Sequence, residues 1–209
     1  MRMLAIETAS EACSVALFEG ETLLAHDHHV LGRGHAAALG PMIGALPDQG
    51  RAARILFSLG PGSFTGVRIG LATARALGFA WGAEVLGYPT LALVAAQALA
   101  QHPGKSLTVC MNGGHGEWFV QDFGPDGLPE TKALSQTPAV AHGDIHHSLA
   151  AGNRARELLA DDGAGMVTLD ILPDASAVPL LNPALLTSDL APIYGRGPDA
   201  TPMPGRLPA

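Results

Sequence analysis

The chain holds 209 residues, 47% of them apolar and 15% charged, with 12 Lys and Arg against 19 Asp and Glu for a formal net charge of −7. With a mean hydropathy of +0.23, it can bury enough surface to offset the conformational entropy lost on folding, which excludes wholesale disorder. Lys105 and Lys132 are the only lysines, so the chain is not a free-standing nucleic-acid binder held by phosphate contacts; a partner would hold most of any RNA.

Only four apolar residues lie between Arg2 and Glu7, too few for the core of a secretory signal. The most apolar stretch, 71–100, is interrupted by Arg75 and Glu84 and punctuated by Gly78, Gly82, Gly87 and Pro89. It falls short of the ~18 uninterrupted apolar residues of a membrane span. Cys13 and Cys110 are the only cysteines, insufficient for a disulfide framework or a cysteine metal site. The expectation is a cytoplasmic protein with no membrane association.

In chain order, 3–7, 12–18 and 22–30 read as three strands of an antiparallel meander, turning at Glu19-Gly20-Glu21. A helix follows over 35–46 despite Gly40, Pro41 and Gly44, then a strand at 55–58. The loop Gly60-Pro61-Gly62-Ser63-Phe64-Thr65-Gly66 opens a long helix to Trp81. A strand at 84–86 and a helix at 90–101 complete a β-β-β-α-β-α-β-α order, which implies a mixed sheet flanked by helices. Beyond a soft boundary near residue 102, strands at 107–111 and 117–123 and a return through 128–134 after the Gly124-Pro125-Asp126-Gly127 turn suggest a second meander. Short helices fit 154–161 and 184–186, and from Gly195 onward Gly and Pro give an irregular or disordered tail.

The helices on either side of the fourth strand are apolar around their circumference. In 64–81 the only charged residues are Arg68 and Arg75, and 35–46 carries no acid or base after His35. A helix apolar all round is buried on more than one side. Both helices can be core within one chain, or they can form a partner surface, and contiguous apolar surface favours the second. Gly66, Gly70, Ala74, Gly78 and Gly82 form a small-residue stripe that would let another backbone approach. At about 800 Å² per partner, the pair could supply most of a docking face, with His35, Leu39, Met42, Ile43, Phe64, Arg68, Leu71 and Arg75 as candidate contacts.

The glycine loop between strand and helix could cradle phosphate through backbone N–H groups. It lacks the Gly-Lys-Ser/Thr ending of a Walker A loop, and Ser63 lacks the flanking glycines of a nucleophile elbow. A structural reading suffices, with Ser63 or Thr65 capping the helix and the glycines permitting a sharp turn. The nucleotide reading would place Thr8, Ser10, Ser63 and Thr65 around phosphate.

The run from Gly60 to Gly78, GPGSFTGVRIGLATARALG, closely resembles the signature of the TsaB family of the bacterial tRNA threonylcarbamoyladenosine pathway. Residues 3–17 resemble that family's first hairpin, Gly34-His35 and Pro41-Met42 its first helix, and Pro192-Ile193-Tyr194-Gly195-Arg196 its C-terminal Pro-x-Tyr-x-Arg. The likeness is dense over 1–100 and patchy beyond. It implies the actin-like, Hsp70-like and sugar-kinase-like ATPase fold: a lobe at 1–102 carrying the partner interface, a reduced lobe at 103–196 and a tail at 197–209. It also implies a non-catalytic subunit that pairs with TsaD, the enzyme transferring a threonylcarbamoyl group to the adenosine beside the anticodon. TsaE joins the pair, tRNA is met only through the complex, and ATP or ADP could sit at the partner junction. The TsaD contact would use the two helices above, and that surface can self-associate when TsaD is absent. The competing function is an independent ATP-binding phosphotransferase or ATPase on the same fold.

Residue chemistry argues against independent catalysis. Actin-like ATPases place an aspartate at the end of the first strand and a glycine soon after it, whereas this chain reads Glu7-Thr8-Ala9-Ser10. The His-x-x-x-His metal site of TsaD relatives has no counterpart near 81–101. His142 and His146 share that spacing, but zinc needs three or four converging ligands, so they read as solvated or capping, as do His26 and His28 on one strand face. Where TsaB proteins commonly carry Asp-Ala-Arg-x-Gly-Glu, this chain has Asn112-Gly113-Gly114-His115-Gly116-Glu117.

Overall fold

Strand β1 (Arg2–Glu7) is apolar on both faces, with Leu4 and Ile6 packed to one side and Met3 and Ala5 to the other. Such a strand must be central. It pairs antiparallel with β2 (Ala12–Glu19), which pairs antiparallel with the edge strand β3 (Thr22–Val30). On its other side β1 runs parallel to β4 (Arg54–Ser58), and β4 parallel to β5 (Glu84–Tyr88). The resulting mixed sheet has the order β3-β2-β1-β4-β5. Helices α1 (His35–Ala45) and α2 (Phe64–Trp81) cover one face and α3 (Thr90–Gln101) the other. The computed structural model describes residues 1–159 and 165–195. The expected tail at 197–209, Arg196 and part of the 154–161 helix lie outside them.

A second mixed sheet, in the order β10-β9-β6-β7-β8, is built on the hairpin of β6 (Leu107–Gly114) and β7 (Glu117–Phe123). The expected strand over 128–134 does not form. Only a Phe123–Pro129 bridge exists there, since Pro129 has no N–H to give a ladder, and the third strand is β8 (Leu134–Gln136). The sequence gives no warning of α4 (Pro138–His142), β9 (Leu149–Ala151) and β10 (Val167–Leu169), each too short to show a period. Helix α5 is a single turn, Ala155–Leu158, and the expected helix at 184–186 is a 3-10 turn over Pro183–Leu185.

Helix α3 lies between the sheets, and Leu91, Leu93, Val94 and Ala98 are buried against residues of both, such as Leu56, Leu107 and Phe119. After β10 the chain returns to the first sheet. The 3-10 segment Ala175–Leu180 packs on α3 and β2, Thr187 bridges Gly87, and the Ile193 N–H donates to the Leu59 carbonyl at 2.7 Å. That return places Ile193 and Tyr194 beside the glycine loop.

Candidate functional site

The glycines between 60 and 78 serve the chain's own packing. A Cβ at Gly62 would come within 2.1 Å of the Ala9 carbonyl oxygen, one at Gly66 within 2.0 Å of the Thr8 carbonyl oxygen, and one at Gly78 within 2.3 Å of Val85 Cγ2. What approaches the small-residue stripe from within the chain is therefore the Thr8 backbone at Gly66 and the Val85 side chain of β5 at Gly78, while Gly82 meets nothing within 4 Å. Ser63 caps α2, its hydroxyl accepting from the Gly66 N–H at 3.2 Å, while its own N–H donates to the Ala9 carbonyl at 2.6 Å.

With Gly66, Val67, Gly70, Ala74 and Gly78 turned inward, α2 presents Phe64, Arg68, Ala72, Arg75, Ala76 and Phe79 to solvent. Phe79 is 94% exposed and Phe64 63%. Leu71 is half-buried and packs partly against the α1–α2 core. Helix α1 corrects the expectation more sharply. Leu39, Met42 and Ile43 lie in the chain's own core, and buried His35 donates from Nε2 to the Ala12 carbonyl at 3.1 Å. These four support the outward face from beneath. The face itself is made of Ala36, Ala37, Gly40, Pro41, Gly44 and Ala45, all small and uncharged.

A cleft of about 790 Å³ opens between the two sheets, with Ser10, Gly62, Ser63, Phe64, Arg68 and Tyr194 among its lining. At its mouth the Arg68 guanidinium lies 3.2 Å from the Phe64 ring centroid and donates to the Tyr194 hydroxyl at 2.9 Å, a cation–π arrangement. Of the four hydroxyls expected around phosphate, Ser10 and Ser63 line this cleft and Thr8 and Thr65 do not. Thr8 is wholly buried and its hydroxyl donates to the Gly66 carbonyl at 2.8 Å. The Ala9 N–H goes to Glu7 Oε1 at 2.6 Å, so two backbone donors near this turn, those of Ala9 and Ser63, point into the protein. Thr8 is thereby withdrawn from any phosphate contact, and Ser10 and Ser63 are the two of the four that face the cleft.

Glu7 ends β1 entirely buried. Ser58 Oγ donates to its Oε1 at 2.8 Å, and the Tyr88 hydroxyl, which donates to the Ile6 carbonyl at 2.9 Å, stands 3.3 Å from its Oε2. Burial outweighs these bonds and pushes the carboxyl up to about 7. A carboxyl sealed in this way cannot reach a metal–nucleotide in the cleft.

At the departure from the family pattern, Asn112 accepts from the Gly114 N–H at 3.2 Å, and Gly114, His115 and Gly116 all take positive φ. The tip is a tight turn at the cleft rim, tied across by Asn153, whose Nδ2 donates to Glu11 at 2.6 Å. His142 and His146 have separate partners, the Leu158 carbonyl and Asp122. His26 and His28, by contrast, converge on Asp174. Two features are not among the candidate residues read from the sequence: Phe79, near the end of α2 and 94% exposed, and Asp174, distant along the chain.

Two sheets flanking a cleft, with a helix between them, define the actin-like and sugar-kinase ATPase class of α/β fold. The structure superposes on inorganic polyphosphate/ATP-glucomannokinase from Arthrobacter sp. strain KM with a TM-score of 0.51 at 12% identity, covering 86% of this chain and 98% of that one, a likeness of fold alone. It superposes on YeaZ from Pseudomonas aeruginosa with a TM-score of 0.70 at 26% identity over 85% and 88% of the two chains. The model of the family described as TsaD, tRNA N6-adenosine threonylcarbamoyltransferase, matches residues 29–151. The tRNA threonylcarbamoyladenosine biosynthesis protein TsaB of Escherichia coli K12 is 36% identical over 154 residues, 68% of this chain. The chain belongs to this TsaD-type family, on its TsaB branch. It spans 65% of the length of that E. coli relative. Among the described residues no helix is long and apolar enough to cross a membrane.

Proposed function

We propose that this chain is a non-catalytic subunit in the formation of threonylcarbamoyladenosine in tRNA, docking on TsaD through the outward faces of α1 and α2 and activating it. The observation that carries this reading is the α1–α2 face, which holds no acidic residue, exposes small residues on α1 and bears two exposed phenylalanines on α2. A contiguous apolar face on a chain with net charge −7 marks a protein contact site. Small residues on α1 would let a partner helix approach closely, with Phe64 and Phe79 as aromatic anchors and Arg68 and Arg75 between them on the exposed face of α2. TsaE would join the pair, tRNA would be held through the complex, and the same face would close a homodimer when TsaD is absent. The inward-turned donors of Ala9 and Ser63 support the lack of independent phosphoryl chemistry. Any ATP or ADP at the junction would draw its phosphate contacts from TsaD.

Co-elution of the purified chain with TsaD on a sizing column tests this. The wild type should elute as a complex, and Phe79→Glu, on a side chain that is 94% exposed, should weaken the complex by about 2–4 kcal/mol with the fold intact. Co-elution unchanged by Phe79→Glu, or steady ATP turnover by the isolated chain, would overturn it.

A further inference from the structure

His26 and His28 point from the same face of β3, two residues apart as strand alternation requires. Asp174 meets them from the segment that returns after the second sheet: His26 Nε2 lies 2.8 Å from its Oδ1 and His28 Nδ1 3.0 Å from its Oδ2. All three donor atoms lie within 4.8 Å of one another. The carboxylate is held from several sides. The Asp174 N–H donates to Gln97 Oε1 on α3 at 3.2 Å, Asp174 Oδ1 accepts from the Ser176 N–H at 2.8 Å, and the next residue, Ala175, donates to Ser14 Oγ on β2 at 2.9 Å.

A simple imidazole–carboxylate contact leaves one observation unexplained. His28 Nδ1 is sealed from solvent and makes no aligned hydrogen bond, although Asp174 Oδ2 stands 3.0 Å away. A buried polar atom without a partner calls for a missing group. A cation placed among the three donors would satisfy it, taking the Nδ1 lone pair directly.

We propose that His26, His28 and Asp174 form a binding site for a borderline divalent cation, zinc in the first instance. Two imidazoles and one carboxylate are a zinc-type donor set, with water free to take the fourth tetrahedral position; magnesium and calcium, which prefer all-oxygen shells, are disfavoured. Ligands about 2.0–2.2 Å from zinc in a tetrahedral shell stand roughly 3.3 Å from one another, so the imidazole–carboxylate spacings of 2.8 and 3.0 Å would open slightly while the three donors, within 4.8 Å of one another, settle around the metal. The metal would tie the edge strand β3 to the returning segment, fastening the first sheet to residues that follow the second. The site lies apart from the glycine loop, and its test does not depend on TsaD.

The full chain, dialysed against a chelator, is titrated with zinc chloride by calorimetry and with cobalt chloride by visible absorption. One zinc per chain, a cobalt spectrum of four-coordinate nitrogen–oxygen ligation and a rise in thermal midpoint with zinc are expected. His28→Ala and Asp174→Asn should each lose more than about tenfold in zinc affinity, since even supporting residues of a metal site cost 10–100-fold. His26→Gln removes the more exposed ligand with the least risk to folding and should lose affinity likewise. His29→Ala, on the opposite face of β3, should bind as wild type. Failure of the wild type to bind zinc, or equal binding by wild type and His26→Gln, would overturn the site.

Discussion

Helices α2 and α3 read alike in sequence, both apolar with almost no charge, yet they occupy opposite environments. Helix α3 has a sheet on either side of it, and from Thr90 to Ala96 every residue is buried. Helix α2 has a sheet on one side only, seats its glycines there and leaves Phe64 and Phe79 in solvent. An apolar circumference thus means core where the fold supplies two layers, and a face left in solvent where it supplies one. The difference lies in which residues are large: α3 spreads leucine and valine around its circumference, while α2 places glycine and alanine inward.

The largest effect that could break this comparison is Gly66→Val. Its Cβ would fall 2.0 Å from the Thr8 carbonyl oxygen, so overpacking against backbone should cost more than about 4 kcal/mol and leave little folded protein by circular dichroism. If the inward stripe faced a partner instead, the isolated chain would tolerate the change. Next, Leu93→Ala on α3 should cost about 2–5 kcal/mol in urea unfolding, as expected of a helix enclosed on both sides.

Glu7 sharpens the picture through pH. Its carboxyl is raised from an ordinary 4.5 to about 7 by burial, so between those values the folded chain holds a proton that the unfolded chain releases. Stability should therefore be greatest below about pH 4.5 on this account and fall by the order of 2–3 kcal/mol as pH rises to 7, flattening above it. Glu7→Gln should flatten the profile in urea titrations between pH 5 and pH 8. Smallest of all, Phe79→Ala should change the stability of the isolated chain by less than about 0.5 kcal/mol, the mark of a side chain with nothing to pack on.

Much of the first sheet was legible because its central strands are short continuous apolar runs and the glycine loop announces the long helix. The orientation of the helices was not. Counting apolar residues around α1 and α2 could not tell that Leu39, Met42 and Ile43 face inward, because the outer positions, Gly40, Pro41 and Gly44, are themselves uncharged and leave no polar stripe to mark the solvent side. The second sheet was only partly readable: β9 and β10 are three residues each and take their structure from pairing, β9 with β6 and β10 with β9, rather than from a period of their own. Thr8 looked available for phosphate until the fold brought Gly66 against it. His26 and His28 were visible as a pair, but Asp174, on which both converge, arrives through a long-range return of the chain that no local pattern encodes.

Hydrogen–deuterium exchange on the chain alone and after addition of TsaD tests the docking face most directly. Peptides covering α1 and α2 should slow on addition of TsaD while those of α3, already enclosed, stay as they were. Protection of α1 and α2 that is the same with and without TsaD, with any change confined to the second sheet, would contradict the account.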